Sequence, residues 1–443
     1  MKNVLKRMVP VILIACMVVS LVACGGNSTA GDVKTSETPA TTSAAAEKEP
    51  VTINFPTSWV GAHPFAPYLT SELERFNQMY GNEIIVKIEE MPDDVAMDEK
   101  IKVLIAANDF PDVCVTNSGA LVDLAEKAGL TVDFKPVINA DADWLAAMNT
   151  KALDYWAGAS GKWTAISSHK DALGYFYNKE LYAQAGIQAP AKTWDEFFKN
   201  CDALKAKGIT PLAMGTNQQG WTVNLWFVAL IGTSNDAGNL FTNTKTPASY
   251  ETPEVIAAAA NLKKMLTEYT TKDAVGLDYS GTMNNFYAGK AAMVANGIWI
   301  NGDMADEKKA PKDFKAKVGL AMFPNDGMFG WPGYVTLASA KNKDKIDAET
   351  KFVKFLNDKD GQTVKLQKLS LIPDCNSLDV SSFELDPLLK DIINNNKVAK
   401  YTFLGPWSIY QQGIQSNISQ YLASLAMTDT PEQFCKTLTT AAK

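Results

Sequence analysis

Large aromatic side chains stand beside turn residues where apolar strands end. Trp59 follows Phe55-Pro56-Thr57-Ser58, and Trp221 follows the stretch GTNQQG. Trp299 sits inside NGIWING, Trp331 and Tyr334 occupy GWPGY, and Trp407 lies in LGPWSIY. An indole is flat, apolar and electron-rich, which suits it to the C–H face of a pyranose ring. Covering roughly 50 Å² of that face, at about 25 cal/mol per Å², contributes about 1 kcal/mol per ring. Three or four such platforms, with hydrogen bonds from Asp, Asn and Gln to the hydroxyl girdle, reach the roughly −8 kcal/mol of micromolar binding. The competing reading of each Trp is core packing. It is preferred for Trp156, Trp163 and Trp194, which lie within or beside regular elements.

Other chemistry has little behind it. There is no G-x-S-x-G, Walker, G-x-G-x-x-G or H-E-x-x-H motif. His63 and His169 are the only two histidines, so acid–base catalysis would rest on carboxylates, as in glycosidases, and nothing in the sequence positively supports it. Asp358-Lys359-Asp360-Gly361 faintly resembles a calcium loop but lacks the ligand ladder, so a solvated turn is expected. Gly158 to Lys162 is glycine-rich without phosphate-loop spacing. No Cys/His spacing suggests a metal site, and no cofactor is expected. Of the six cysteines, Cys114 and Cys201 read as small core residues. Cys375 and Cys435 are free to pair in an oxidising compartment.

The elements that must position the aromatics follow. Lys2, Lys6 and Arg7 precede an apolar run from Met8 to Leu21, too short to span a membrane, which reads as a secretory leader. It ends in Leu21-Val22-Ala23-Cys24, which resembles a lipoprotein lipobox, so Cys24 is the candidate lipidation site. Residues 24–50 are small and polar and form a tether. The chain carries 42 basic and 49 acidic residues, and no basic cluster points to nucleic acid.

From Val51 onward the pattern alternates strand and helix. VTINF, EIIVKIEEM and DVCVT are strands. A helix between the first two has Ser71 and Glu74 at capping-box spacing, and a second runs through MDEKIKVLIAANDF. This βαβαβ opening calls for a parallel sheet covered by helices. The grammar restarts near Gly174 with GYFYN, then a helix capped by Thr193 and a strand ITPLAMG. A further helix has Thr252 at its N-cap and Pro253 in its first turn, and AETKFVKFLNDKDGQTVKLQ is a helical stretch. In open α/β sheets, ligands bind beyond the carboxyl ends of strands, where these aromatics fall.

Three ordered stretches carry a likeness. LGYFYNKELYAQAGIQAPAKTWDEFFKNCDALKAKGITPLAMG, FYAGKAAMVANGIWI and IKVLIAANDFPDV resemble the family 1 extracellular solute-binding proteins of ABC transporters, the group of maltose-binding protein. The likeness runs from about Val51 to the C-terminus. It implies an α/β, two-lobed periplasmic-binding-protein fold of type II, with crossover hinge segments and the ligand in the inter-lobe cleft. The hinges would lie near 168–172, 331–336 and 371–374. Lobe one would be 51–168 plus 335–370, and lobe two 172–330 plus 373–443, after a leader (1–23) and a tether (24–50).

The resemblance also implies sites. Trp299 would be a sugar platform, with Trp221 and Trp407 as further platforms. Asp171, in the first crossover, would accept hydroxyl hydrogen bonds, and Thr116, Asn117 and Ser118 would contact solute. The implied role is a monomeric, non-catalytic receptor for a mono- or oligosaccharide. It would serve ABC permease subunits from a lipid anchor on the outer face of a Gram-positive cell membrane. Alternatives are a receptor for a non-sugar solute such as a glycerophosphodiester or polyamine, a glycoside-processing lipoprotein, or a sensor lipoprotein.

Overall fold

The computed structural model describes residues 49–157, 160–167 and 169–443. The leader, Cys24 and nearly all of the expected tether lie outside the described residues. So do Gly158, Ala159 and Ser168.

The opening strand, β1 (Val51–Thr57), pairs in parallel with β2 (Ile84–Glu90), Val51 standing opposite Ile84. The helix between them, Ala66–Tyr80, buries Tyr68, Leu69 and Phe76, with Phe76 edge-on to Phe352 and Phe355. Pro67 lies in its first turn, where a missing N–H costs nothing. Ser71 and Glu74 therefore sit inside the helix, and the capping box expected from their spacing does not form. The next helix, Asp94–Ala106, also starts earlier than expected, because Asp93 caps it by accepting the Ala96 N–H at 2.8 Å. The earlier start places Asp94 and Asp98 one turn apart on the same helix face.

β3 (Val113–Thr116) is wholly buried. It forms an antiparallel ladder with β10 (Val335–Ala338), which also pairs with β4 (Ile166–Ser167). The all-parallel sheet expected for this half is thus replaced by a parallel pair beside a three-stranded antiparallel sheet.

The other half is a seven-stranded sheet centred on β5 (His169–Asn178). On one side of β5 lies β7 (Ala291–Gly297), followed in parallel by β6 (Thr210–Leu212). On the other lie β8 (Val318–Ala321) and β9 (Gly327–Pro332), and β12 (Tyr401–Phe403) runs parallel to β9. The helix Trp221–Gly232 is buried from Thr222 to Gly232 and anchors this half. The helix Trp194–Ala206 buries Phe197, Cys201 and Leu204 below its Thr193 cap, as its spacing predicts. The stretch 348–367, read as one helical run, falls in two helices, Ile346–Asn357 and Lys359–Leu369, separated at Asp358. The Asp358 side chain accepts the Gly361 N–H at 2.8 Å, so the calcium-like tetrad is a helix cap.

The chain enters the seven-stranded sheet at His169 and leaves it between Pro332 and Val335. A third segment, β11 (Ile372–Pro373), pairs with His169 and Lys170. His169 is where these passages meet. Its carbonyl accepts the Gly333 N–H at 2.8 Å, and a Cβ on Gly333 would stand 2.2 Å from its ring. One core cluster runs through both halves, including Phe55, Phe352, Val294 and Met328. A second, around Tyr175, Trp226 and Phe403, belongs to the seven-stranded sheet. Cys375 and Cys435 are both buried and both free.

Candidate functional site

Between the halves lies a cavity of about 410 Å³. Loops after β1, β2, β3, β6 and β7 all reach it, which is the position expected for a ligand at strand carboxyl ends. Seven of the residues singled out from sequence line it: Asn117, Asp171, Trp221, Trp299, Trp331, Tyr334 and Trp407.

Three of them form a continuous aromatic wall. The Trp221 ring centroid lies 6.1 Å from that of Trp299 and 5.8 Å from that of Trp407, at interplanar angles of 44° and 39°. All three rings are half-buried, so faces remain open to the cavity. Local backbone explains their placement. Strand β7 is buried throughout and ends at Gly297, and a 3-10 turn, Ile298–Ile300, follows. Ile298 and Ile300 point into the core, leaving Trp299 between them outside it. A Cβ on Gly297 would stand 2.1 Å from the Trp299 ring, so only glycine lets the indole fold back over the strand end.

Trp221 opens its helix after Gln218, Gln219 and Gly220, all at positive φ (48°, 63° and 56°). Two non-glycine residues in that region store strain of a kind that clusters at functional sites. The loop is held by the Gln219 N–H, donated to Ser419 Oγ at 2.8 Å, and by the Tyr279 N–H, donated to Gln218 Oε1 at 3.1 Å. Asn296 is fully buried and braces the wall, accepting from Trp221 Nε1 at 3.4 Å and donating to Tyr279 OH at 3.0 Å.

The facing wall comes from the other half and is acidic. Asp94 accepts hydrogen bonds from the Ser58 and Tyr334 hydroxyls, and His63 Nε2 lies 3.5 Å from it. His63 Nδ1 accepts the Phe65 N–H, which directs an Nε2 proton toward Asp94. Burial works to raise the Asp94 carboxyl, but His63 and the donors from His63, Ser58 and Tyr334 outweigh it and hold it below its ordinary value. Asp98 accepts from Thr116 Oγ1 at 2.9 Å. Burial first, and the neighbouring Asp94 charge second, push it up to about 7. The Tyr334 hydroxyl is driven well above its usual range by burial and by Asp94, so it stays a neutral donor.

Asp171 is 5% exposed, pairs across the ladder with Trp331, and has an Oδ1 that takes no hydrogen bond from any of the described residues. Its near neighbour His169 is fully buried, its Nε2 3.5 Å from that oxygen.

Three expected residues do not line the cavity. Trp59 is 2% exposed, stacked on Phe65 with centroids 4.7 Å apart and edge-on to Tyr334 at 5.4 Å. It is a core residue that backs the wall, packed among Phe65, Tyr68 and Tyr334. Thr116 is buried and positions Asp98, and Ser118 donates to Gln415 Oε1 at 3.2 Å, across to the other half. Sequence reasoning missed His63, Phe65, Asp93, Asp94, Asp98, Tyr279 and Asp303. The signal for the central pair was the i, i+4 spacing of Asp94 and Asp98, hidden when the helix is started at Met97.

The family described as "Bacterial extracellular solute-binding protein" matches residues 62–363. The chain is 31% identical over 195 residues to the multiple sugar-binding protein of Streptococcus mutans, covering 41% of this chain and 44% of that one. It is 25% identical over 284 residues to the maltotriose-binding protein of Pyrococcus abyssi, covering 62% and 56%. The chain thus spans about half the length of the curated relatives it matches. Among solved structures, a chitin oligosaccharide binding protein superposes with a TM-score of 0.78 at 24% identity, over 89% of this chain and 98% of that one. A Streptococcus pneumoniae solute-binding protein in complex with the blood group A-trisaccharide gives 0.74 at 20% identity, over 88% and 98%. At these identities the likeness establishes the fold, a two-lobed α/β binding-protein architecture.

Proposed function

This chain belongs to the family of bacterial extracellular solute-binding proteins, and on that premise we propose that it captures a carbohydrate in the inter-lobe cavity for delivery to an ABC permease. One observation carries the reading: three half-open indoles stand in contact along a wall that faces carboxylates and amides. Rings that stack sugar C–H faces and acceptors that take hydroxyl protons are the two complements a pyranose requires. The sugar-binding names of the relatives support the same reading.

Lobe one is assigned to 51–168 with 335–370, and lobe two to 172–330 with 373–443. The solute bridges the lobes and favours the closed form, because only that form presents both walls at once. Protein contacts also cross the mouth: Lys245 donates to the Tyr155 carbonyl and lies over its ring, Lys102 reaches Ser416 at 3.4 Å, and Lys309 reaches the Ala62 carbonyl at 3.4 Å. Ser118 reaches Gln415, the Tyr155 and Ser408 hydroxyls meet at 2.7 Å, and Gln218 Nε2 donates to Asp93 Oδ2 at 3.4 Å. The solute supplies the remainder. The role is binding without catalysis, from a lipid on Cys24. No helix among the described residues is long and apolar enough to cross a membrane.

The test is a thermal-shift screen of purified protein over a carbohydrate panel, with chromatography of each hit after incubation. A raised melting temperature with intact sugar is the expected result. No shift with any sugar, or cleavage of the hit, overturns the reading.

A further inference from the structure

The charge of the cavity is lopsided. Among the described residues, five aspartates line it against one lysine and one histidine, His63 beside Asp94, and no arginine or glutamate lines it. The lysine, Lys309, is already committed, its ammonium 2.6 Å from Asp303. Lys170, beside Asp171 in sequence, donates instead to Asn396 at 2.7 Å. An anion entering this space would meet carboxylates and no unengaged lysine or arginine among the lining residues. A cationic solute would offset the negative charge of the wall.

Asp171 is the independent observation. It comes from β5, not from the helix that carries Asp94 and Asp98, and it is more than nine-tenths buried. Among the described residues its Oδ1 has no hydrogen-bond donor, and the His169 nitrogen at 3.5 Å is too distant to serve as a short one. A buried carboxylate oxygen left without a donor is costly, and it points to a donor supplied by the solute. The indole wall is suited to the same solute, because the face of an indole attracts cations as well as C–H groups.

We propose that the solute is a carbohydrate bearing a protonated amine, its ring on the indoles and its ammonium at Asp171, and that uronic acids and sugar phosphates are rejected. This rests on the carbohydrate reading above and narrows it.

Calorimetric titration of the full chain at pH 7 with matched probes tests this. The probes are glucosamine, galactosamine and chitosan oligosaccharides, their N-acetylated forms, glucose, galactose and cello-oligosaccharides, glucuronate, glucose 6-phosphate, and spermidine. The expected result is that at least one free-amine sugar binds tenfold or more tighter than both its acetylated and its hydroxyl counterparts. In Asp171→Asn that advantage should shrink below threefold, while the melting temperature persists. If neutral or acetylated sugars bind as tightly as the amines, or an anionic sugar binds, the amine proposal fails and the carbohydrate reading stands. If spermidine binds and no sugar does, the carbohydrate reading fails. If no probe binds, both fail.

Discussion

The two walls of the cavity are held in place by different means. The indole wall is fixed by backbone: Gly297 leaves room for the Trp299 ring, and three positive-φ residues deliver Trp221 to the start of its helix. The carboxylate wall is fixed by hydrogen bonds that converge on Asp94 and Asp98 from Ser58, Tyr334 and Thr116. The difference teaches where sensitivity lies. The aromatic wall should respond to volume and hardly to pH, and the acidic wall should respond to pH and to solute charge.

The largest expected effect separates wall from backing. Trp59→Ala should cost about 3–5 kcal/mol of stability, as for a buried large aromatic, read from denaturant unfolding. Affinity should change less than for any lining Trp. A stable variant that cannot bind would move Trp59 into the wall and blur the distinction.

Next, Trp221→Ala should weaken binding of the best panel sugar about tenfold, about 1.4 kcal/mol, with the fold retained by circular dichroism. Combined with Trp299→Ala, the loss should differ from the product of the two, because rings 6.1 Å apart share one solute and each other's contacts. Strict additivity in titration would argue against a continuous wall.

A smaller effect is expected from Gly297→Ala, which removes no aromatic. Its Cβ would displace the Trp299 ring, so affinity should fall several-fold at pH 5 and pH 8 alike. An unaltered dissociation constant would show that Trp299 need not hold this pose.

The smallest effect belongs to the acidic wall. The folded protein holds a proton on Asp98 up to about pH 7, whereas an ordinary Asp releases it near 3.8. Between those values the fold binds more protons than the unfolded chain, so this group's contribution to stability declines as pH rises. Asp98→Asn keeps an acceptor for Thr116 and removes the titration. Its melting temperature should therefore gain on the wild type at pH 8 relative to pH 4.5. Partial exposure of Asp98 keeps the gain small, and a gain at pH 4.5 instead would contradict the assignment.

The indole wall was largely legible in the sequence, because aromatics beside Gly, Pro and Asn mark strand ends whatever the tertiary context. Trp59 misled because it carries the same local signal, and only its packing on Phe65 and Tyr334 distinguishes the two cases. The acidic wall was mostly hidden. Its register depends on where one helix begins, and the Asp93 cap moves that start by three residues from Met97. The first half's strand pairing was hidden too, since β3 takes its partner from residues more than 200 positions later. Asp171 was reached through the motif around it, not through any spacing that revealed its burial.

The most direct measurement of the central claim is calorimetric titration of wild type and Trp299→Ala with the tightest-binding panel sugar, alongside their melting curves. At least a tenfold rise in dissociation constant with a melting temperature near that of the wild type is the expected result. Equal dissociation constants for the two proteins would contradict a carbohydrate held on the indole wall.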